Sequence, residues 1–289
     1  MSLRALHNPG LPVHLSLEGM DLAAFSISGV ATYLLAREFD ACFDLGHCPV
    51  EASHLRHVFL SHTHQDHAGG VHRHLSLRAM TGAPPSRIYC PFERAEALRE
   101  LLRAWARLEE KDPGELDEVV EPVAPGDRVP LGRRHSVEVF DVRHRVASRG
   151  FTLIEHGRAL RTPWVGRPEE EIAEAARAGE DLYVPAERRR LTYIGDSTVA
   201  TLAEDPRLAD CDVLFMEATH LPGVSRATAH RWGHTHIEEL AELWARDPAA
   251  LSARHIVLKH FSMKYREADI ARAREALPEG LRERVVMLA

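Results

Sequence analysis

Six consecutive residues with the sequence HTHQDH carry four metal-binding side chains: His62, His64, Asp66 and His67. The run follows an apolar segment, HVFLS, that is typical of a β-strand, and it precedes two glycines. Because alternate side chains of an extended chain point to one side, His62 and His64 can bind one ion together. The chain then turns, so that the adjacent Asp66 and His67 can face a second ion. Imidazole and carboxylate suit Zn²⁺, and the same donors also bind Mn²⁺ or Fe²⁺.

Two metal ions need more ligands than one loop supplies, so further donors are expected at the ends of other strands. Three residues meet this condition, since each closely follows a segment with the pattern of a strand: His144, Asp196 and His260. The three segments read SVEVFDV, LTYIG and HIVLK. The sequence therefore predicts a dinuclear metal site built from strand ends.

Short apolar segments alternate with segments of helical period along the chain. The apolar runs are rich in β-branched side chains and begin at residues 30, 57, 136, 151, 191, 213 and 255. Amphipathic helices are predicted from Glu93, from Ile237 and near the C-terminal end. The first of these helices is predicted to pack in the core through an apolar stripe: Leu98, Leu101, Leu102, Trp105 and Leu108. This order of elements indicates an α/β fold in which sheets pack under helices.

Composition and charge exclude several classes of protein. The chain has 289 residues, of which 45% are hydrophobic and 27% charged, as in an ordinary globular protein. The longest apolar-leaning run without charge, 22–36, is too short to span a membrane, and no signal-type apolar segment opens the sequence. A formal net charge of −7 argues against coating nucleic acid by bulk charge. The four scattered cysteines are expected to be reduced thiols in the cytoplasm.

Residues 155–191 are predicted to form a surface insertion between two strands of a single domain that covers residues 1–289. The segment holds a helix-forming stretch flanked by turn-prone residues. Its seven arginines and eight acidic residues nearly cancel, so it does not form a basic arm. The run Arg188, Arg189 and Arg190 is the part of it that could contact a phosphate backbone.

The pattern H-x-H-x-D-H with trailing glycines resembles the metallo-β-lactamase superfamily. That resemblance implies an α/β fold, a four-layer αββα sandwich with its metal ions at one sheet edge. The chain is also similar to ribonuclease Z, the tRNA 3′-processing endonuclease, in its short, plant-type form. This narrower resemblance rests on motifs in the family's order: FDLG at 43–46, SRGF at 148–151, GDST at 195–198, EAT at 217–219, GHTH at 233–236 and HFS at 260–262.

The resemblance to ribonuclease Z implies two zinc ions per chain and divides the ligands between them. One ion takes His62, His64 and His144, the other takes Asp66, His67 and His260, and Asp196 bridges the two. By the same resemblance, a hydroxide held by both ions attacks phosphorus, and Asp66 orients it. His234, oriented by Glu217, protonates the leaving 3′ oxygen as general acid. The tRNA then keeps a 3′-hydroxyl and the trailer a 5′-phosphate.

The resemblance also implies a homodimer and precursor tRNA as the partner. The nearly neutral insertion, however, differs from the basic, Gly- and Pro-rich arm of many ribonuclease Z proteins. A small-molecule phosphodiesterase, or another hydrolase acting on a lactone or ester, therefore remains an alternative on the same dinuclear site. A binding protein with an inactive site is a third hypothesis, which the complete ligand set disfavours. An alkoxide leaving group needs a proton, so Glu217 and His234 favour a phosphodiester.

Overall fold

The computed structural model describes residues 8–112, 114 and 118–289, and its core contains two β-sheets. The first sheet follows chain order and holds the N-terminal strands: β1 (Val13–Leu17), β2 (Met20–Ser28), β3 (Ala31–Ala36), β4 (Ala41–Leu45), β5 (His57–Phe59), β6 (Arg87–Pro91) and β7 (Val120–Val123). Its first four strands are antiparallel neighbours, whereas β4 to β7 run parallel.

The second sheet holds most of the later strands: β8 (Arg128–Leu131), β9 (His135–Asp141), β10 (Arg149–Leu160), β11 (Tyr183–Tyr193), β12 (Val213–Glu217) and β13 (His255–Lys259). Strands β8 to β11 are antiparallel neighbours, and β11 to β13 run parallel. After β13 the chain passes to the first sheet, where β14 (Phe261–Ser262) pairs with β2. The chain then returns to the second sheet, where β15 (Val285–Met287) pairs with β13. His260 lies at the point of passage between the sheets.

Helices cover the outer faces of both sheets. Their bounds are α1 (Gln65–Ala68), α2 (Val71–Met80), α3 (Phe92–Leu108), α4 (Glu169–Arg177), α5 (Ala200–Glu204), α6 (Arg226–Trp232), α7 (Ile237–Arg246), α8 (Glu267–Glu275) and α9 (Glu279–Arg282). Helices α2 and α3 pack on the first sheet, and α7 and α8 pack on the second. A third apolar cluster lies between the sheets and includes stacked rings of Phe43, Phe59 and Tyr193. The predicted four-layer αββα sandwich is therefore confirmed.

The length and hydropathy of a helix decide whether it can span a membrane. Within the described parts of the chain, no helix is both long and apolar enough to cross a membrane.

Helix α3 buries less of its apolar stripe than the sequence predicts. Leu98 and Leu102 are buried against the first sheet, but Leu101, Trp105 and Leu108 are exposed by 59%, 41% and 77%. A helix lying on a sheet presents only one side to it, and the buried positions are spaced by three or four residues. The prediction that the whole stripe packs in the core is therefore wrong.

The segment 155–191 contains the outer parts of β10 and β11 and, between them, α4. The two strands pair antiparallel out to Leu160 and Tyr183. The three consecutive arginines on β11 are each paired with a carboxylate: Arg188 with Asp212 at 2.8 Å, Arg189 with Glu138 at 3.3 Å and Arg190 with Glu155 at 2.7 Å. Their charges are compensated within the protein, so this run does not offer free cations to a phosphate backbone.

Gly46 lies directly after β4, where the loop that contains Asp66 packs closely. A Cβ atom at Gly46 would lie 1.9 Å from the carbonyl oxygen of Asp66 and 2.9 Å from the amide nitrogen of Thr32. Because both atoms are backbone, we expect Gly46→Ala to lower the free energy of unfolding by about 3 kcal/mol or more, measured by denaturant unfolding. Gly157→Ala is the matched control, since nothing lies within 4 Å of that Cβ position. Equal losses in the two variants would contradict the packing argument.

Candidate active site

The predicted metal-binding residues come together beyond the ends of strands from both sheets. His62 and His64 follow β5, and Asp66 and His67 lie in α1. The others each follow a strand of the second sheet: His144 after β9, Asp196 after β11 and His260 after β13. Their ligand atoms form two groups, within each of which all atoms lie within 4.8 Å of one another: His62, His64, His144 and Asp196, and then Asp66, His67 and His260. We call these seven residues the ligand cluster.

Asp196 occupies the centre of the ligand cluster. Its Oδ1 lies 3.2 Å from His67 Nε2 and 3.3 Å from His260 Nε2, while its Oδ2 lies 3.7 Å from His62 Nε2. The side chain is almost fully buried. One carboxylate therefore faces imidazoles of both groups, as a bridging ligand must.

The atoms of the ligand cluster fit divalent cations. His62 Nε2 faces His64 Nδ1 at 2.9 Å, and His67 Nε2 faces His260 Nε2 at 3.2 Å. Two nitrogens bound to one tetrahedral zinc ion lie about 3.3 Å apart, so this spacing suits shared coordination. Among the described residues, the buried atoms His144 Nε2 and Asp196 Oδ1 also have no hydrogen-bond partner. Buried polar atoms rarely lack a partner, and a bound cation would supply one here.

The pKa values of the imidazoles are consistent with metal binding. Burial lowers the pKa of His62, His64 and His144 below the usual value, which favours the neutral form that binds metal. His67 differs: burial opposes its charged form, yet the carboxylates of Asp196 and Asp44 raise its pKa to about 10. The negative field that stabilises a proton there would also stabilise a metal cation.

Asp44 is a buried hub that orients His67. Its Oδ2 accepts hydrogen bonds from His67 Nδ1 at 2.7 Å, from the Ser61 hydroxyl at 2.8 Å and from the Tyr193 hydroxyl at 2.7 Å. The Ser61 amide donates to Oδ1 at 2.7 Å. With Nδ1 engaged, the Nε2 atom of His67 is left to face the ligand cluster. The role of Asp44 was not predicted from the motif FDLG, although an acid inside the apolar strand ACFDL is a signal of a buried polar contact.

Two other imidazoles are oriented from the loops that follow β12 and α6. His144 Nδ1 donates to the carbonyl of Gly233 at 2.8 Å, and Thr219 Oγ1 lies 2.9 Å from His260 Nδ1. His260 itself has a φ of 64°, a left-handed backbone conformation that ordinary residues seldom adopt. The surrounding contacts hold this ring in place. The contact of Thr219 with His260 was not predicted from the sequence, in which Thr219 is only a neighbour of Glu217.

Glu217 and His234 form a hydrogen-bonded pair beside the ligand cluster. His234 Nδ1 donates to Glu217 Oε1 at 2.7 Å, and Nδ1 lies 4.0 Å from Asp196 Oδ2. The fully buried Glu217 carboxylate also accepts from the Ser197 amide, the Thr219 amide and the Thr219 hydroxyl. Burial opposes a charged imidazole, but the Glu217 carboxylate raises the pKa of His234 to about 9. The pair is therefore arranged to hold a proton at neutral pH.

The position of His234 would also allow it to act as a metal ligand. Its ligand atom lies within 4.8 Å of those of Asp196 and His260, so the three could hold a cation by themselves. Proton donation and metal binding are thus both compatible with its position, and they make different predictions about kinetics.

Comparison with known proteins defines the class. The family model described as "Beta-lactamase superfamily domain" matches residues 39–261, and the chain therefore belongs to the β-lactamase superfamily. The chain superposes on the metallo-β-lactamase fold protein YhfI of Bacillus subtilis with a TM-score of 0.57 and 14% sequence identity. The superposition covers 93% of this chain and 96% of that protein. This structural likeness shows the shared fold.

Within that class, the chain is similar to plant tRNase Z. It is 27% identical to tRNase Z TRZ1 of Arabidopsis thaliana over 278 residues, covering 95% of this chain and 96% of that protein. It is 27% identical to the chloroplastic tRNase Z TRZ2 of the same plant over 285 residues, covering 94% and 77%. Human tRNase Z, short form, shares the fold with a TM-score of 0.50 and 20% identity over 87% of this chain and 89% of that one. The resemblance to ribonuclease Z is confirmed.

Proposed function

We propose that the protein is a metal-dependent endoribonuclease that removes 3′ trailers from precursor tRNA. The observation that carries this proposal is the Glu217–His234 pair beside the ligand cluster. A ribose 3′ oxygen is a poor leaving group, and an imidazole oriented by a buried carboxylate is suited to protonate it. The similarity to proteins named tRNase Z supports the same substrate.

The ligand cluster would hold two zinc ions. His62, His64 and His144 would bind one, Asp66, His67 and His260 would bind the other, and Asp196 would lie between them. When bound, a pair of divalent cations makes a water molecule acidic at neutral pH and offsets charge that develops on a phosphoryl group. The imidazole and carboxylate donors favour zinc, and manganese or iron accept the same set.

Asp66 and His234 would divide the proton transfers between them. Asp66 Oδ2 accepts from the Gly29 amide at 2.7 Å, which fixes the carboxylate and leaves it able to accept a hydrogen bond from the attacking water. His234 Nδ1 is engaged by Glu217, so its Nε2 is the nitrogen left to donate to the departing 3′ oxygen. The tRNA would then end in a 3′-hydroxyl and the trailer begin with a 5′-phosphate.

The proposal is tested by incubating the zinc-loaded protein with a precursor-tRNA transcript that carries a 3′ trailer. We expect release of the trailer at one site, with the end groups given above, seen by gel electrophoresis and end labelling. Asp66→Ala is expected to abolish cleavage while circular dichroism shows a folded protein, because the residue lies at the surface of the cluster and not in the apolar core.

The alternative of a small-molecule phosphodiesterase, or of a lactone or ester hydrolase, is not favoured by the comparisons. A parallel assay distinguishes this alternative from the proposed endoribonuclease. Turnover of bis(p-nitrophenyl) phosphate or a lactone by a fully metal-loaded protein that leaves precursor tRNA intact would contradict the proposal and support the alternative.

We also infer a homodimer and a cytoplasmic location. Exposed apolar side chains on α2 and α3, among them Met80, Leu101 and Leu108, support a partner surface there. All four cysteines are buried and unpaired, which fits a reducing compartment. Light scattering of the purified protein measures the oligomer, and a monomer at micromolar concentration would contradict the first inference.

A further inference from the structure

Two arginines and a tryptophan form an exposed cluster next to the candidate active site. The guanidinium carbon of Arg145 lies 5.0 Å from the ring centroid of Trp232, and that of Arg231 lies 5.7 Å from it. Trp232 is 45% exposed, which is unusual for so large an apolar ring. We call these three residues the Arg–Trp cluster.

The backbone fixes the Arg–Trp cluster against the site. Arg145 directly follows His144, and Trp232 lies two residues before His234. Gly233, between the last two, accepts a hydrogen bond from His144 Nδ1 and has a φ of 74°. A Cβ atom on Gly233 would lie 2.7 Å from His144 Nδ1 and 3.0 Å from the Arg145 amide nitrogen, so the two loops are in direct contact.

The charge of this cluster is not neutralised by a carboxylate in the described residues. In the part of the chain that the structure describes, neither Arg145 nor Arg231 forms an ion pair with a carboxylate. The arginines at 188–190 are the opposite case, since each is paired with an acid. Cationic side chains without a carboxylate partner among the described residues therefore lie beside the site and not on that run of β11.

We propose that the Arg–Trp cluster binds one unpaired nucleotide of the RNA next to the cleaved bond. The indole ring and the guanidinium groups over it offer flat surfaces on which a base of any identity can stack. The guanidinium charges face the adjoining phosphate, which requires no particular sequence. This inference rests on the proposed function, and it assigns Arg145, Arg231 and Trp232 as residues that position the substrate.

The test compares two substrates, a precursor-tRNA transcript and methyl p-nitrophenyl phosphate, which carries no base and whose only ring is the leaving group. We expect Trp232→Ala to lower the ratio of kcat/KM for the transcript to that for the diester by about tenfold. Trp232→Phe keeps an aromatic face and is expected to restore most of the ratio. Loss of the same factor on both substrates would indicate a merely structural role and overturn the proposal.

An abasic transcript shows whether a base is the group recognised. Transcripts lacking the base on one side or the other of the cleaved bond are compared with the intact transcript. The wild-type protein is expected to lose about tenfold in kcat/KM on one of them, and Trp232→Ala is expected to show no further loss on that one. If the variant loses as much as the wild type does, no base stacks on the cluster and the proposal fails.

The arginines are tested by salt dependence. The slope of log kcat/KM against log salt concentration is expected to be negative. Arg145→Ala and Arg231→Ala are each expected to make it less negative by about 0.7, the value for one phosphate contact on a single strand. Arg284→Ala is the matched control, because Arg284 lies over Trp244 at 5.2 Å in a separate cation–π pair. A slope that is unchanged in all three variants would overturn the phosphate contact.

The same measurements separate this proposal from the proposed function. If the wild-type protein does not cut the transcript, the endoribonuclease assignment fails and this inference fails with it. If the wild-type protein cuts and the Trp232→Ala ratio equals that of the wild type, only the nucleotide-binding role of the Arg–Trp cluster is refuted.

Discussion

Asp196→Asn is expected to lower kcat/KM by about 10³-fold or more for precursor tRNA and for bis(p-nitrophenyl) phosphate alike. The Asp196 carboxylate lies 3.2 Å from His67 Nε2 and 3.7 Å from His62 Nε2, so it faces both groups of imidazoles. An amide in its place carries no charge and holds cations less tightly. A loss of about 4 kcal/mol of charge stabilisation corresponds to this factor. Steady-state kinetics and metal analysis by mass spectrometry measure the two effects.

Asp210→Asn provides the matched control for this variant. Asp210 is exposed and lies shortly before β12, so the same chemical change is expected to leave activity and metal content within a factor of two. An Asp196→Asn protein with two metal equivalents and undiminished activity would refute the bridging role.

His234→Ala is expected to affect the two substrates differently. For precursor tRNA, whose leaving group is an alkoxide, we expect kcat to fall by roughly 10²- to 10⁴-fold, the usual contribution of a general acid. For bis(p-nitrophenyl) phosphate, the leaving phenolate needs no proton, and we expect a loss below about tenfold. Glu217 holds His234 through a 2.7 Å hydrogen bond, so Glu217→Gln is expected to show the same dependence on leaving group.

The second role that the geometry allows for His234 predicts a different result. Equal losses on both substrates, with a fall in bound metal, would show that His234 acts with Asp196 and His260 as a ligand. His230→Ala is the control, because His230 lies in α6, four residues before His234, pairs with Glu239 and belongs to none of the groups of possible metal ligands among the described residues. It is expected to retain activity on both substrates.

The ligand cluster could be predicted from sequence because its signal is local. Four donors within six residues at a strand end have few structural explanations, and the carboxyl ends of strands in an α/β fold are where further donors would meet. The structure places His144, Asp196 and His260 in positions of this kind. The layered architecture was predictable for a similar reason, since the period of each apolar run depends only on neighbouring residues.

The supporting shell could not be predicted in this way. Asp44, His67 and Tyr193 lie far apart in the sequence, in β4, α1 and β11, and the two strands belong to different sheets. Only the packing of the complete fold brings these side chains into contact. The exposure of Leu101 and Leu108 is likewise a matter of how α3 sits on its sheet. Periodicity shows that a face is apolar, but it does not show how much of that face the neighbouring layer covers.

The passage of the chain at His260, from β13 in the second sheet to β14 in the first, has a mechanical consequence. Because His62 and His64 follow a strand of the first sheet while His144 and Asp196 follow strands of the second, ions in this cluster would clamp the two halves of the sandwich together. Ion affinity and the docking of the halves are then one linked equilibrium. A change that weakens the packing between the two sheets far from the cluster would lower metal affinity, and a chelator would weaken that packing.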